Sequence, residues 1–187
     1  MRVLGVDPGL SRCGIGIVEG TSHRPVAVRV GVIVTPPADE IGRRLRALYD
    51  EVTTLIAEMQ PAVVALERVF FNANVRTATG VSQAAGIVLL AAEQAGLPVV
   101  QYTPTQVKAA VAGTGDADKE QVGFMVKTLL RLAEMPRPAD ASDALALALC
   151  HLQLGAGQFG PGTMSPRLAQ ALAQAAPGAQ VMRGVRR

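Results

Sequence analysis

The sequence predicts an α/β protein in which a mixed five-stranded sheet is flanked by helices. Three observations carry that expectation. Strand-like segments follow one another up to Val34, strand and helix patterns alternate after it, and a hydrophobic fraction of 49% over 187 residues suffices for one sizeable core. The elements follow in order. Residues 2–7 and Cys13 to Glu19 read as strands, joined by the turn signature Asp7-Pro8-Gly9. Val26 to Val34 alternates and completes a β-meander. From Ile41 to Met59, the residues Ile41, Leu45, Leu48, Val52, Leu55 and Ile56 recur at helical spacing with arginines on the other face. Pro61 stops that helix and opens a strand ending at Glu67. Val75 to Ala95 predicts a helix in which Gly80, Ala84 and Gly86 offer close backbone approach. Leu97 to Tyr102 predicts the fifth strand. Gln106 to Val111 and Lys119 to Ala133 read as helices, and Pro138 precedes a final apolar helix over Ala139 to Leu154. From Gly155 onward Gly, Pro, Ala and Gln dominate, with one short helical pattern at Pro166 to Ala176. The division expected is therefore a folded body over 1–154 and a flexible basic tail over 155–187.

Composition narrows the function classes. No apolar run reaches the roughly 18 residues that a membrane span needs. The N-terminal strand lacks the layout of a signal peptide. Cys13 and Cys150 lie in apolar segments without metal-ligand spacing and read as reduced core thiols, so a cytoplasmic location is expected. His23 and His151 stand alone and read as surface or core residues. The net charge of +3 hides an asymmetry: Arg167, Arg183, Arg186 and Arg187 put four of the 18 basic side chains in the tail, which has no acid. The body keeps 14 basic against 15 acidic groups, a net of −1, so nucleic-acid binding cannot rest on bulk charge. Two bound divalent cations would bring that body to about +3.

Four carboxylates carry the functional reading. Asp7 closes the apolar run of the first strand and Glu67 that of the fourth, while Asp140 and Asp143 open the final helix. Unpaired carboxylates at the edge of a core cost several kcal/mol to desolvate, and no set of Lys or Arg stands in the sequence to neutralise all four. Sites in open α/β sheets gather beyond the carboxyl ends of parallel strands, so neighbouring strands would bring Asp7 and Glu67 together. Asp140 and Asp143 share one helix face near a positive dipole end. Oxygen-only ligands suit Mg²⁺ or Mn²⁺, and two such ions can activate a water and stabilise a leaving oxygen in phosphodiester cleavage. The alternative from spacing alone is structural: Asp140 caps its helix and Asp143 pairs with a nearby Arg.

Four blocks in order, VLGVDPGLSRCGIGIVE, VVALERVFFNANVRTATGVSQAAG, YTPTQVKAAVAGTGDADKEQV and PADASDALALALCH, resemble the RuvC family of Holliday junction resolvases. The likeness covers residues 1 to about 154. It implies an RNase H-like fold, a homodimer, cleavage of four-way DNA junctions with two Mg²⁺ per site (Mn²⁺ as substitute), and work alongside the RuvA-RuvB branch-migration complex. By motif position Asp7, Glu67, Asp140 and Asp143 take the family's acidic positions, with Asp143 the direct ligand by helix geometry and both Asp140 and Asp143 lining the site. Lys108 and Lys119 match basic positions near the scissile phosphate. Phe70 matches an aromatic that stacks on or wedges between bases at the junction, and Arg76 is read as a phosphate contact. The small-residue helix Val75 to Ala95 is the expected dimer interface, since a two-fold dimer presents two sites to a junction of two-fold symmetry. Two rivals remain on the sequence: an RNase H-like nuclease acting on RNA, and an actin-like ATP-binding protein, for which Asp7-Pro8-Gly9 would be a phosphate hairpin.

Overall fold

The structure, a computed structural model, describes residues 1–69 and 75–155, leaving aside the side chains of 75–77. Phe70, Phe71, the Arg76 side chain and the tail beyond 155 lie outside the described residues. The strands are β1 (Arg2–Asp7), β2 (Arg12–Thr21), β3 (Arg24–Val34), β4 (Val63–Glu67) and β5 (Val99–Tyr102). The helices are α1 (Ile41–Met59), α2 (Val75–Gln94), α3 (Pro104–Ala112), α4 (Lys119–Leu129) and α5 (Ala139–Leu154). One five-stranded sheet runs in the order β3-β2-β1-β4-β5. The meander β1-β2-β3 is antiparallel, and β4 and β5 join β1 in parallel, so the sheet is mixed as the sequence predicts.

Alternation along the strands builds a core on each face. Leu4, Val6, Ile15, Ile17, Val64 and Leu66 point to the face covered by α1 and α2, where Leu48, Val52, Ala84 and Val88 meet them. Val3, Val18, Val63, Ala65 and Tyr102 point to the other face, under α3, α4 and α5. The turn after β1 is pinned from α1: Arg44 donates to Thr35 Oγ1 at 3.0 Å and to Ser11 Oγ at 2.6 Å. Cys13 and Cys150 are buried free thiols, His151 is buried, and His23 is exposed. Among the described residues no helix is long and apolar enough to cross a membrane.

The helix α5 lies unusually close to the sheet, and glycine explains it. A Cβ on Gly5 would stand 2.0 Å from the Ala144 carbonyl oxygen, one on Gly14 2.0 Å from that of Asp140, and one on Gly16 2.6 Å from the Leu145 nitrogen. These distances are shorter than any side chain tolerates. Gly5 pairs with Gly16, and Asp7 with Gly14, so the three make one side-chain-free strip on the face that α5 covers. In contrast Gly86 on α2 faces open space within the described chain, and Gly80 is in ordinary contact with Leu10. The tight backbone approach expected of α2 is found instead under α5.

Candidate active site: a carboxylate cleft with two lysines

The parallel register of β1 and β4 places Val6 beside Leu66, and hence Asp7 beside Glu67 at the carboxyl ends of both strands. The glycine strip lets the first turn of α5 settle over Gly14, the lateral partner of Asp7. The outcome is a cleft of about 180 Å³ lined by Asp7, Glu67, Lys108, Lys119 and Asp143, with Pro104, Val107 and Val122 among its walls. At roughly 30 Å³ per water in the liquid, that space suits ions, waters and a phosphate group rather than a nucleotide. Lys108 comes from α3, whose start is fixed by Thr103: its hydroxyl accepts from the Gln106 backbone and the Gln106 side chain accepts from the Thr103 backbone. Asp118 and Gln121 make the same capping box at α4, which sets Lys119 at the first helical position.

The four acids differ in their partners. Asp7 and Glu67 stand side by side at the ends of β1 and β4. Burial, hydrogen bonding with Glu67, and the charges of Glu67, Asp143 and Asp140 push the Asp7 pKa from 3.8 up to about 8. Asp143 accepts from Lys119 Nζ at 3.1 Å, and the bond and charge of Asp143, with those of Asp7 and Glu67, hold the lysine pKa above its usual value. Asp140 accepts from Arg12 Nε at 2.8 Å and does not line the cleft, although its charge is felt by Asp7. Of the two α5 acids expected at the site, Asp143 lines the cleft and Asp140 stands beside it, paired with Arg12. Asp140 does not cap its helix either, since the cap position is Pro138 and makes no side-chain bond. Arg12 was not foreseen: it lies 128 residues from Asp140 in sequence, and no local pattern links them.

Oxygen-only carboxylates fit a divalent cation, because a cation there would offset the burial and like charges that hold the Asp7 pKa up. Among the described residues no three acidic, His or Cys side chains converge tightly enough to grip an ion as they stand. Lys119 engages one carboxylate oxygen of Asp143, and Arg12 engages one of Asp140.

The profile of the family described as crossover junction endodeoxyribonuclease RuvC matches residues 3–151. This chain belongs to the RuvC family. A RuvC of Parafrankia sp. (strain EAN1pec) is 57% identical over 156 residues, 83% of this chain and 88% of that protein. A RuvC of Frankia alni is 53% identical over 184 residues, covering 98% of this chain and 88% of the relative. Among solved structures, T. thermophilus RuvC in complex with a Holliday junction substrate superposes with a TM-score of 0.80 at 38% identity, covering 83% of this chain and 94% of that one. The RuvC fold is RNase H-like, which the mixed sheet and its five helices reproduce. RuvC membership favours neither an RNA nuclease nor an actin-like ATP-binding protein.

Proposed function

We propose that this protein resolves four-way DNA junctions by metal-dependent phosphodiester hydrolysis, making paired nicks in strands related by two-fold symmetry. The observation that carries the reading is the single cleft in which Asp7, Glu67 and Asp143 meet Lys108 and Lys119, in a chain of the RuvC family. Asp7, Glu67 and Asp143 would hold two Mg²⁺ ions (or Mn²⁺), with Asp140 close enough to add its charge. Such ions supply polarisation of the phosphate oxygens, a nucleophilic water and stabilisation of the leaving oxygen. The chain's own residues do the rest. Lys119, from the first turn of α4, and Lys108, from the middle of α3, line the cleft and would orient the scissile phosphate. Phe70 would enter the junction between bases and Arg76 would bind a phosphate, both from the segment after β4.

Two sites are needed for two nicks, and we assign the dimer contact to α2, which buries Ala84, Val88 and Ala92 inward while leaving Leu90 48% exposed. The body over 1–154 carries the catalysis, and the tail 155–187 is an appendage whose four arginines favour DNA. Cooperation with the RuvA-RuvB branch-migration complex and a cytoplasmic location complete the proposal. The test is to incubate the protein with a synthetic four-way junction, a plain duplex and an RNA–DNA hybrid. Paired symmetrical nicks in the junction alone, dependent on Mg²⁺ or Mn²⁺, are expected. Hybrid cleavage or ATP turnover would overturn the assignment.

A further inference from the structure

Beside the carboxylate cleft lies a second and larger depression, of about 670 Å³, lined by Lys119, Gly123, Ser142, Asp143 and the loop Met135 to Ala139. The Lys119–Asp143 ion pair forms part of the wall of both. We propose that this groove receives the base of the substrate nucleotide next to the scissile phosphate, so that Ser142 and the loop before α5 help to select which DNA sequence is cut. The inference rests on the nuclease reading above and extends it to a subsite.

Size separates the two depressions. The cleft has room for ions and a phosphate, whereas the groove falls in the roughly 300–1,000 Å³ range of sites that enclose small organic groups. Its walls suit a flat ring: Met135, Pro136, Pro138 and Ala139 are apolar and carry little that would demand hydration. Ser142 is the discriminating feature. It is only 8% exposed as a residue, and it lines the groove with its hydroxyl oxygen on the side of Gly123. A hydroxyl in a groove wall that donates or accepts at a base edge discriminates among bases. Across the groove Gly123 keeps the space open. A Cβ there would come within 2.7 Å of the Met135 Cε and 3.7 Å of the Ser142 oxygen. Lys119 on the shared wall and Arg137 on the loop give the strand two cationic anchors.

The experiment uses the full chain and four-way junctions in which the nucleotide on either side of the cut is each of the four bases or an abasic residue. The native protein should cut the best base at least about tenfold faster than the abasic junction at one of the two positions. Gly123→Ala, which fills the groove, should bring the bases and the abasic residue within about twofold of one another. Ser142→Ala should change the ranking of the bases while leaving the melting temperature in place. A readout independent of activity is photocrosslinking of uncut complexes formed with Ca²⁺, using 4-thiothymine at the same position. Crosslinks are expected in 135–139. Variants that keep the native ranking, or crosslinks confined to other segments, would overturn the subsite. Failure of the native protein to nick any junction would instead remove the nuclease reading, and the subsite with it.

Discussion

Replacing Asp7 with Asn should stabilise the metal-free protein, by an amount that grows with pH. Burial is the main cause that raises the Asp7 pKa from 3.8 to about 8, and the hydrogen bond and charge of Glu67 add to it. Below pH 3.8 folded and unfolded chains both hold the proton. Between 3.8 and about 8 the folded chain keeps a proton that the unfolded chain has lost, so stability falls as pH rises, and above about 8 the loss is complete. At about 1.4 kcal/mol per pH unit, the whole span would amount to something on the order of 5 kcal/mol. Asp7 is half-buried at the mouth of the cleft, so water and reorientation of Glu67 screen much of that, leaving about 2 kcal/mol. An Asn in its place carries no charge and can donate to Glu67. In EDTA at pH 9 the variant should melt about 4–8 °C higher than the native protein, while near pH 4 the two should melt alike. Mg²⁺ should raise the native midpoint by mass action and move the variant far less. Thermal melts of both proteins across this pH range decide it. Equal midpoints at pH 9, or a variant less stable than the parent, would show that Asp7 is not held as an unneutralised acid.

Glu67→Gln and Asp143→Asn should each lower junction cleavage on the order of a hundredfold or more, with junction affinity in Ca²⁺ preserved; gel shifts beside cleavage time courses separate the two. Gly16→Ala forces a methyl to within 2.6 Å of the Leu145 backbone nitrogen. It should cost about 2–4 kcal/mol through displacement of α5 and lower both melting temperature and metal affinity. Asp118→Ala removes one half of the α4 capping box and should cost about 1 kcal/mol in denaturant titration, with an added loss of cleavage because Lys119 sits on that first turn.

Element type was legible because the apolar periods are clean, and the boundaries moved where proline or an unusual backbone intervened. The helix expected over Lys119 to Ala133 ends at Leu129, although apolar residues continue at helical spacing beyond it. Arg131 takes a left-handed backbone at φ 53°, and the Leu132 amide reaches back to the Lys127 carbonyl at 2.9 Å. Helices ordinarily announce that ending with glycine; here an arginine adopts it and leaves no signal. The strand α3 follows, β5, starts at Val99 rather than Leu97, after Pro98, which has no amide to give a ladder. The helix α3 starts at Pro104 rather than Gln106 because Thr103 caps it and Pro104 suits the first helical position. In β3 the ladder extends back to Arg24, taking in Pro25, which an edge strand tolerates.

The acids were the legible part of the site, and the residues that bring them together were not. Asp7 and Glu67 sit at the ends of apolar runs, so strand logic alone makes them neighbours. That neither makes an ion pair among the described residues is a property of the fold, as are the pairings of Asp140 with Arg12 and Asp143 with Lys119. The division matters chemically. The two acids with cationic partners keep the metal-free fold from gathering four like charges, and the two without leave a place that a cation can take from a proton. What lets α5 come so close to the sheet is the absence of side chains at Gly5, Gly14 and Gly16. The alternation in CGIGIVE fixes which face those of β2 share, and a strand interior that spends two of its positions on glycine already signals a close backbone approach. Enlarging any of the three lifts the α5 acids away from Asp7 without touching a carboxylate, so a site defined by its charges would fail through a residue that has none.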